Sequence, residues 1–454
     1  MTTLVECGSL FTGNEDVERR NHVLIIDSGR LSYVGPADKA PKAESVLDYS
    51  EFFVMPGLQD VHTHLAYGNA KTEEDIDLYQ PMEFRSIRGL FFAQKCLAAG
   101  YTSICSPGDA GQISLSVRNA IDYGLFDGPR VTAAGRYLTS RQGLTDWYPT
   151  WIGVPDTSIG RLVTSRDEAI EEIRVQVKNG VDCIKIALDG VQRRPDGEFI
   201  AAFNQEETTA MVTEAHRMGR KVVVHARGRE ATLYAARAGV DLIFHAYYLD
   251  QECIDAILEN GSAIGPTLTF PRNIVDFTRP TEPAYLKGRI ADVQREYETA
   301  CANLRRAHQA GIPFMTGTDS GFAVTPYGEW HAREIEIFVK DLGFTPAAAL
   351  RAATAVTAGF MAKGSSFGVL EAGRAADFIA VAGSPLKDVA ILQDKSRIRH
   401  VHLAGKRVAV PERGYDPRQV TDQAWTNWND LYTQERVVEL GIRPARLSAT
   451  MQDS

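Results

Sequence analysis

The apolar positions change rhythm twice along the chain. Up to about residue 55 they form short runs broken by turn residues. Val23–Ile26, then Asp27-Ser28-Gly29, then Leu31–Val34 predict a hairpin. From Leu58 onward, short apolar runs alternate with helical patterns. The runs are Thr102–Cys105, Arg130–Ala134, Cys183–Ala187, Lys221–His225, Asp241–Ala246, Ala263–Gly265 and Pro313–Thr316; with the run that opens at Val54 they make eight predicted strands. Between them, Ser165-Arg166-Asp167-Glu168 is a capping box that opens a helix with Ile170, Ile173 and Val177 on one face, stopped by Asn179-Gly180. Asn204 and Glu207 repeat the device, and Thr345-Pro346 starts a late helix. Strand and helix alternating about eight times predict an α/β fold, a parallel (β/α)8 TIM barrel. After Gly364 strands return at Phe367–Leu370, Asp377–Val381, Ile398–Leu403 and Lys406–Val410. The expected architecture is therefore a barrel over 58–363 flanked by a β-sandwich domain formed by both chain ends, 1–57 and 364–412. A polar, helix-containing tail with Trp425, Trp428 and Tyr432 follows over 413–454.

Composition narrows the class. The 454 residues are 44% hydrophobic and 24% charged, which is ordinary for a globular chain. A net charge of -9 argues against nucleic acid as a partner. No apolar run reaches the length of a membrane span, and the first residues lack the basic-then-apolar pattern of a secretory leader. Six scattered cysteines without a Cys-x-x-Cys are expected as free thiols in a reducing cytoplasm.

The chemistry sits where the predicted strands end. Val54–Leu65 reads VMPGLQDVHTHL. Side chains alternate along a strand, so His62 and His64 point the same way. A lone His-x-His is more often a polar turn than a metal site, so its partners decide. Lys185 lies inside the apolar CIKIA run, His225 ends KVVVH, His245 ends LIFH, and Asp319 sits on the glycine-rich turn TGTDSG. Each has an ordinary explanation taken singly: a solvated rim histidine, a lysine reaching water, an aspartate bracing its turn. All of them arriving at C-terminal strand ends, where barrel active sites lie, points instead to a metal centre.

The stretches PGLQDVHTHL, DCIKIALDG, KVVVHARG, DLIFHAYYLD, TGTDSG and FGVLEAGRAADFIAVAGSP resemble the metal-dependent amidohydrolase superfamily, over residues 1 to about 410. Motif order is similar to the imidazolonepropionase-like and prolidase-like branch. The aromatic loops and PYGEWHARE look like the bacterial hydrolases of phenylurea and thiocarbamate (molinate) herbicides. The resemblance implies two divalent metals, zinc first, with iron, manganese and cobalt also fitting the donors. His62 and His64 would bind the more buried one, His225 and His245 the second. Lys185 would be N-carboxylated and bridge them. Asp319 would ligate the buried metal and shuttle the proton of a hydroxide that attacks an amide, urea or carbamate carbonyl. It implies a xenobiotic-degrading hydrolase of C–N bonds other than peptide bonds; with the composition, the expectation is a cytoplasmic homo-oligomer bound to neither nucleic acid nor membrane. Same-site alternatives are a dipeptidase or N-acyl amino acid hydrolase, or a lactonase. A non-catalytic binding or scaffold member is the alternative of another class, disfavoured because all six ligands remain.

Around this set Tyr248 is placed to donate to a developing oxyanion, or else packs on its loop. Tyr67, Trp147, Arg227 and His331 are candidate substrate contacts; Arg227 equally fits a salt bridge and His331 a structural role. Relatives often carry a histidine after the third strand, where this chain reads TSRQGLTDWYP with Leu144, and a second histidine where Arg227 stands. Rim loops are rich in aromatics, and Arg141 and Arg227 are the main cations for a carboxylate. That favours a small neutral or aromatic substrate. His400 and His402 form a second His-x-His that lies outside the barrel and is expected to be a decoy.

Overall fold

The computed structural model describes residues 1–277, 284–409 and 430–442. Eighteen strands are present among them. Four come first: β1 (Thr3–Leu10), β2 (His22–Asp27), β3 (Arg30–Pro36) and β4 (Ser45–Pro56). The predicted hairpin joins β2 to β3, and Ser28 and Gly29 at its tip take φ of 51° and 80°, the left-handed pair that a tight two-residue turn requires. The central strands are β5 (Leu58–Asp60), β6 (Tyr101–Ser106), β7 (Arg130–Ala133), β8 (Tyr137–Thr139), β9 (Gly160–Leu162) and β10 (Cys183–Ala187), then the hairpin β11 (Asp189–Arg193) and β12 (Phe199–Ala201), then β13 (Lys221–Ala226), β14 (Leu242–His245) and β15 (Ala263–Gly265). Last come β16 (Phe378–Val381), β17 (Ile398–Leu403) and β18 (Lys406–Arg407).

Both chain ends enter one seven-stranded sheet, ordered β18-β17-β16-β4-β1-β2-β3. The union of the two ends is as expected, though the described strands make one continuous sheet where two facing layers were anticipated. The Phe367–Leu370 run is not a strand. Its chain turns at Gly368, with φ of 87°, and Leu370 N–H donates to Thr12 O at 2.8 Å. Val410, Trp425 and Trp428 lie outside the described residues. Of the tail, Tyr432 is buried against Phe277 at 5.5 Å, ahead of a short helix at Gln434–Glu439.

The central strands are parallel and fall in two sheets, β5-β6-β7 and β15-β14-β13-β10-β8-β9. Single backbone hydrogen bonds run between and beyond them. Asp182 N–H donates to Ala133 O at 2.8 Å, Met315 N–H to Ile264 O at 2.9 Å, and Val61 N–H to Thr316 O at 2.9 Å. The second capping box forms as read, Asn204 and Glu207 capping each other's backbone; at the first, Ser165 accepts from Glu168 N–H, but the Glu168 carboxylate accepts from Thr164 N–H at 2.8 Å instead of closing the box on Ser165. Helix faces bearing Ile173, Met211, Ala235 and Ile257 close over β10, β13 and β14, whose Ile184, Val222 and Ile243 are fully buried. Burying both faces of a parallel sheet leaves only its strand ends for polar groups. All six cysteines are free, and five are buried. No helix among the described residues is long and apolar enough to cross a membrane.

Candidate metal centre

Five of the six expected residues leave the C-terminal ends of β5, β13 and β14 and the turn after residue 316, Lys185 projects from the middle of β10, and they meet. His62 Nε2 lies 3.0 Å from His64 Nε2, and Asp319 Oδ1 is 3.3 Å from each. His225 Nδ1 lies 2.9 Å from His245 Nε2. One ligand atom from each of His62, His245 and Asp319 falls within 4.8 Å of the other two. Lys185 Nζ stands 4.0 Å from the Phe244 ring centre, and the same ring stacks on His62 at 3.8 Å. All four histidines and Lys185 are buried.

Polar partners on the far side of three of the four rings, those of His64, His245 and His225, bear on where the lone pair points. Gly108 O can only accept, and it lies 2.7 Å from His64 Nδ1, so the proton is on Nδ1 and the lone pair on Nε2. The Thr267 hydroxyl donates to Pro266 O at 2.7 Å and therefore accepts from His245 Nδ1 at 2.5 Å. His245 Nε2 is again the free donor atom. His225 directs Nε2 at Asp189 Oδ1, 3.2 Å away, and turns Nδ1 inward. Carboxylate, carbonyl or hydroxyl partners of this kind are what metal-binding histidines use to fix their tautomer. Burial, the largest cause, holds His62 and His245 well below the ordinary imidazole range and lowers His225, so all three rings are neutral at pH 7.

The fit to a metal can be tested on these atoms. His64 Nε2 and Asp319 Oδ1 are both acceptors, yet they sit at 3.3 Å. Ligands at roughly 2.0–2.1 Å from one ion stand about 2.9–3.4 Å apart for angles between 90° and tetrahedral. The spacings match the edges of such a polyhedron. Lys185 Nζ is buried with no hydrogen-bond partner, and burial, opposed mainly by Asp319, brings the amine down to about 7. A neutral amine beside an electropositive site is what carboxylation by carbon dioxide requires.

Strain accompanies the arrangement. His245, Thr267 and Asp319 hold φ of 74°, 52° and 55°. Non-glycine residues there cost of order 1–3 kcal/mol each. Gly321, at φ of 131°, presses so close that an added Cβ would meet His64 O and Tyr67 Cβ at 2.9 Å. Gly321→Ala is expected to cost about 2 kcal/mol of stability, read from the shift in denaturation midpoint. Thr267→Val keeps the shape of the side chain but removes the acceptor from His245. It should weaken metal retention by roughly 10–100-fold in chelator competition.

The tentative contacts are placed unevenly. The Tyr67 ring lies parallel on His64 at 4.1 Å, with Phe322 edge-on to it at 4.9 Å and Phe270 beyond at 5.0 Å. Trp147 Nε1 donates to Asp77 Oδ2 at 3.4 Å, and Trp151 is 85% exposed. His331 is turned onto Asp60 Oδ2 at 2.7 Å and receives Gly328 N–H at Nε2, so both of its nitrogens are engaged behind the His62 strand. Asp60 also accepts from His62 N–H at 2.7 Å and the Thr318 hydroxyl at 2.6 Å, tying β5 to the Asp319 turn. Arg227 donates to Glu296, as does Tyr248 through its hydroxyl at 3.3 Å. Arg141 lines a separate cavity of about 310 Å³ with Val163, Phe203 and Met211. His402 bonds Tyr49 Oη at 2.9 Å and stacks on Phe378 in the seven-stranded sheet, as a decoy would. Sequence reading missed Thr267, Gly108 and Glu296, and it quoted Asp189 within DCIKIALDG without giving it a role. Asp60 stood in the quoted motif with no role attached.

Comparison with known proteins agrees with the geometry. The pattern of the amidohydrolase family matches residues 53–408. Ochratoxinase from Aspergillus niger is 28% identical over 438 residues, covering 91% of this chain and 88% of its own. A solved Xaa-Pro dipeptidase with methionine bound in its active site superposes with a TM-score of 0.79 at 27% identity, over 90% of this chain and all of the other. Phenylurea hydrolase B shares the fold with a TM-score of 0.72 at 22% identity, over 90% of this chain and 97% of its own.

Proposed function

The chain belongs to the amidohydrolase family and is a hydrolase acting on C–N bonds, and from that premise we propose that it cleaves a small neutral amide or urea carrying an aromatic group. The observation that carries the reading is the convergence of ligand atoms from His62, His245 and Asp319 within 4.8 Å of one another, with His64 Nε2 at 3.3 Å from Asp319 Oδ1, beside the unpartnered Lys185 amine. His62, His64 and Asp319 would hold one divalent ion, His225 and His245 a second, and Lys185 as a carbamate would bridge. When bound, the ions supply Lewis acidity and a water acidic enough to ionise at neutral pH. Zinc suits the donor set, as do iron, manganese and cobalt.

The remaining steps belong to the side chains. Asp319, at 15% side-chain exposure, is the most open member of its cluster. It takes the proton of the attacking water and passes it to the leaving nitrogen, since an amide anion is too basic to depart. The Tyr248 hydroxyl reaches the developing oxyanion by exchanging Glu296 for substrate. Tyr67, Phe322 and Phe270 offer the aromatic wall, and Trp147 extends the rim. Arg227 is occupied by Glu296, which is why a neutral substrate leads. An N-acyl amino acid or dipeptide is the second reading, favoured by the dipeptidase likeness. We also read 58–363 as one closed eight-stranded barrel, on the backbone bonds that run between and beyond the two parallel sheets. The free thiols support a reducing cytoplasm, and a homo-oligomer is proposed with it.

Incubation with acetanilide, a phenylurea and an N-acyl amino acid separates the readings. Arylamine should appear, stop after dialysis against a chelator and return with zinc. Release of amino acid alone would favour the second reading, and no release from any would count against both.

A further inference from the structure

Three rim groups meet on one buried carboxylate. Glu296, on the helix Ala284–Gln309, is 8% exposed. Its Oε1 accepts from Arg227, and its Oε2 from Arg193 Nη2 at 3.1 Å and from the Tyr248 hydroxyl at 3.3 Å. The three donors follow in the chain the strands that carry Lys185, His225 and His245. Arg193 ends β11 in the hairpin after β10, Arg227 stands two residues past His225, and Tyr248 three past His245. Arg193 also stacks on Phe199 at 3.7 Å, so its guanidinium is held in place.

We infer that Glu296 is a specificity-determining residue: by occupying the Arg193–Arg227 pair it makes this rim select neutral substrates over carboxylate-bearing ones. The inference rests on the proposed amide hydrolysis and narrows its substrate class. Two guanidiniums beside a reaction centre would ordinarily bind a carboxylate. Here the donors are already spent. An arriving carboxylate would stand next to Glu296 and meet a like charge in a poorly solvated place, where such juxtapositions are costly. The pair keeps one excess positive charge, but Arg193 is the outer, more exposed member and water screens it; Arg227, nearer the histidines, is the one Glu296 holds.

The probes are N-benzoylglycinamide and N-benzoylglycine, equal in shape and different in charge. Their binding to the zinc-loaded protein is measured by titration calorimetry, without relying on turnover. Wild type should bind the amide at least ~10-fold tighter than the acid. Glu296→Gln should shift that ratio at least ~10-fold toward the acid, and adding Arg193→Met should reverse the shift. An unchanged ratio in Glu296→Gln, wild-type preference for the acid, or no binding of either probe overturns the inference. Where Glu296→Gln fails to fold, the wild-type ratio and that of Arg193→Met alone decide: Arg193→Met should still favour the amide, and a swing toward the acid overturns the inference. Failure to hydrolyse either probe bears on the proposed function and leaves the binding ratio to decide this one.

Discussion

Lys185→Ala should lower kcat/KM by on the order of 10³-fold, because it removes the group that, on the proposed function, would bridge two cations as a carbamate, a contribution of several kcal/mol to the transition state. The residue is 2% exposed at the centre of β10, and its Nζ makes no hydrogen bond that the fold would miss. Lys185→Met, which keeps the volume, should therefore match wild type in thermal midpoint while sharing the loss of activity. The alanine variant leaves a hole where the carbamate would stand. Millimolar acetate or propionate should restore part of its activity and none of the methionine variant's. Wild-type rates in either variant would remove Lys185 from the centre.

Asp319→Asn should cost roughly 10²–10⁴-fold in kcat, the usual range for losing a proton-transfer group. The substitution is conservative for the fold. Asp319 holds φ of 55°, which asparagine tolerates better than most residues, and its backbone carbonyl still accepts the Thr325 hydroxyl at 2.9 Å. Its side-chain oxygen can still approach His62 and His64, but an amide takes up no proton. The deficit should shrink for a p-nitroanilide, whose amine leaves without full protonation, and persist for acetanilide. An equal deficit for both would assign Asp319 to metal holding alone.

The six proposed ligand positions were legible because five are polar residues ending or interrupting an apolar run, where alternation along a strand suggests the face shown, and Asp319 stands on a glycine-rich turn after another. Asp189, Thr267 and Gly108 were not. They act on rings 36, 22 and 44 positions away, numbers that follow from His225, His245 and His64 in the chain, and Gly108 acts through its backbone. Glu296 lies within a long charged helix that reads as solvated, and only the tertiary fold brings Arg193, Arg227 and Tyr248 to it. His331 shows the converse. Its sequence position near the Asp319 turn left its role open, and packing turned it onto Asp60. The short strands β8, β9, β11 and β12 were unforeseen, since three to five residues carry too little periodicity to stand out.

Metal content tests the account most directly. Protein loaded with zinc, freed of excess by gel filtration and analysed by mass spectrometry for metals should carry about two ions per chain, and about one or fewer in Lys185→Ala. A wild-type protein that retains no metal while keeping its activity would contradict it.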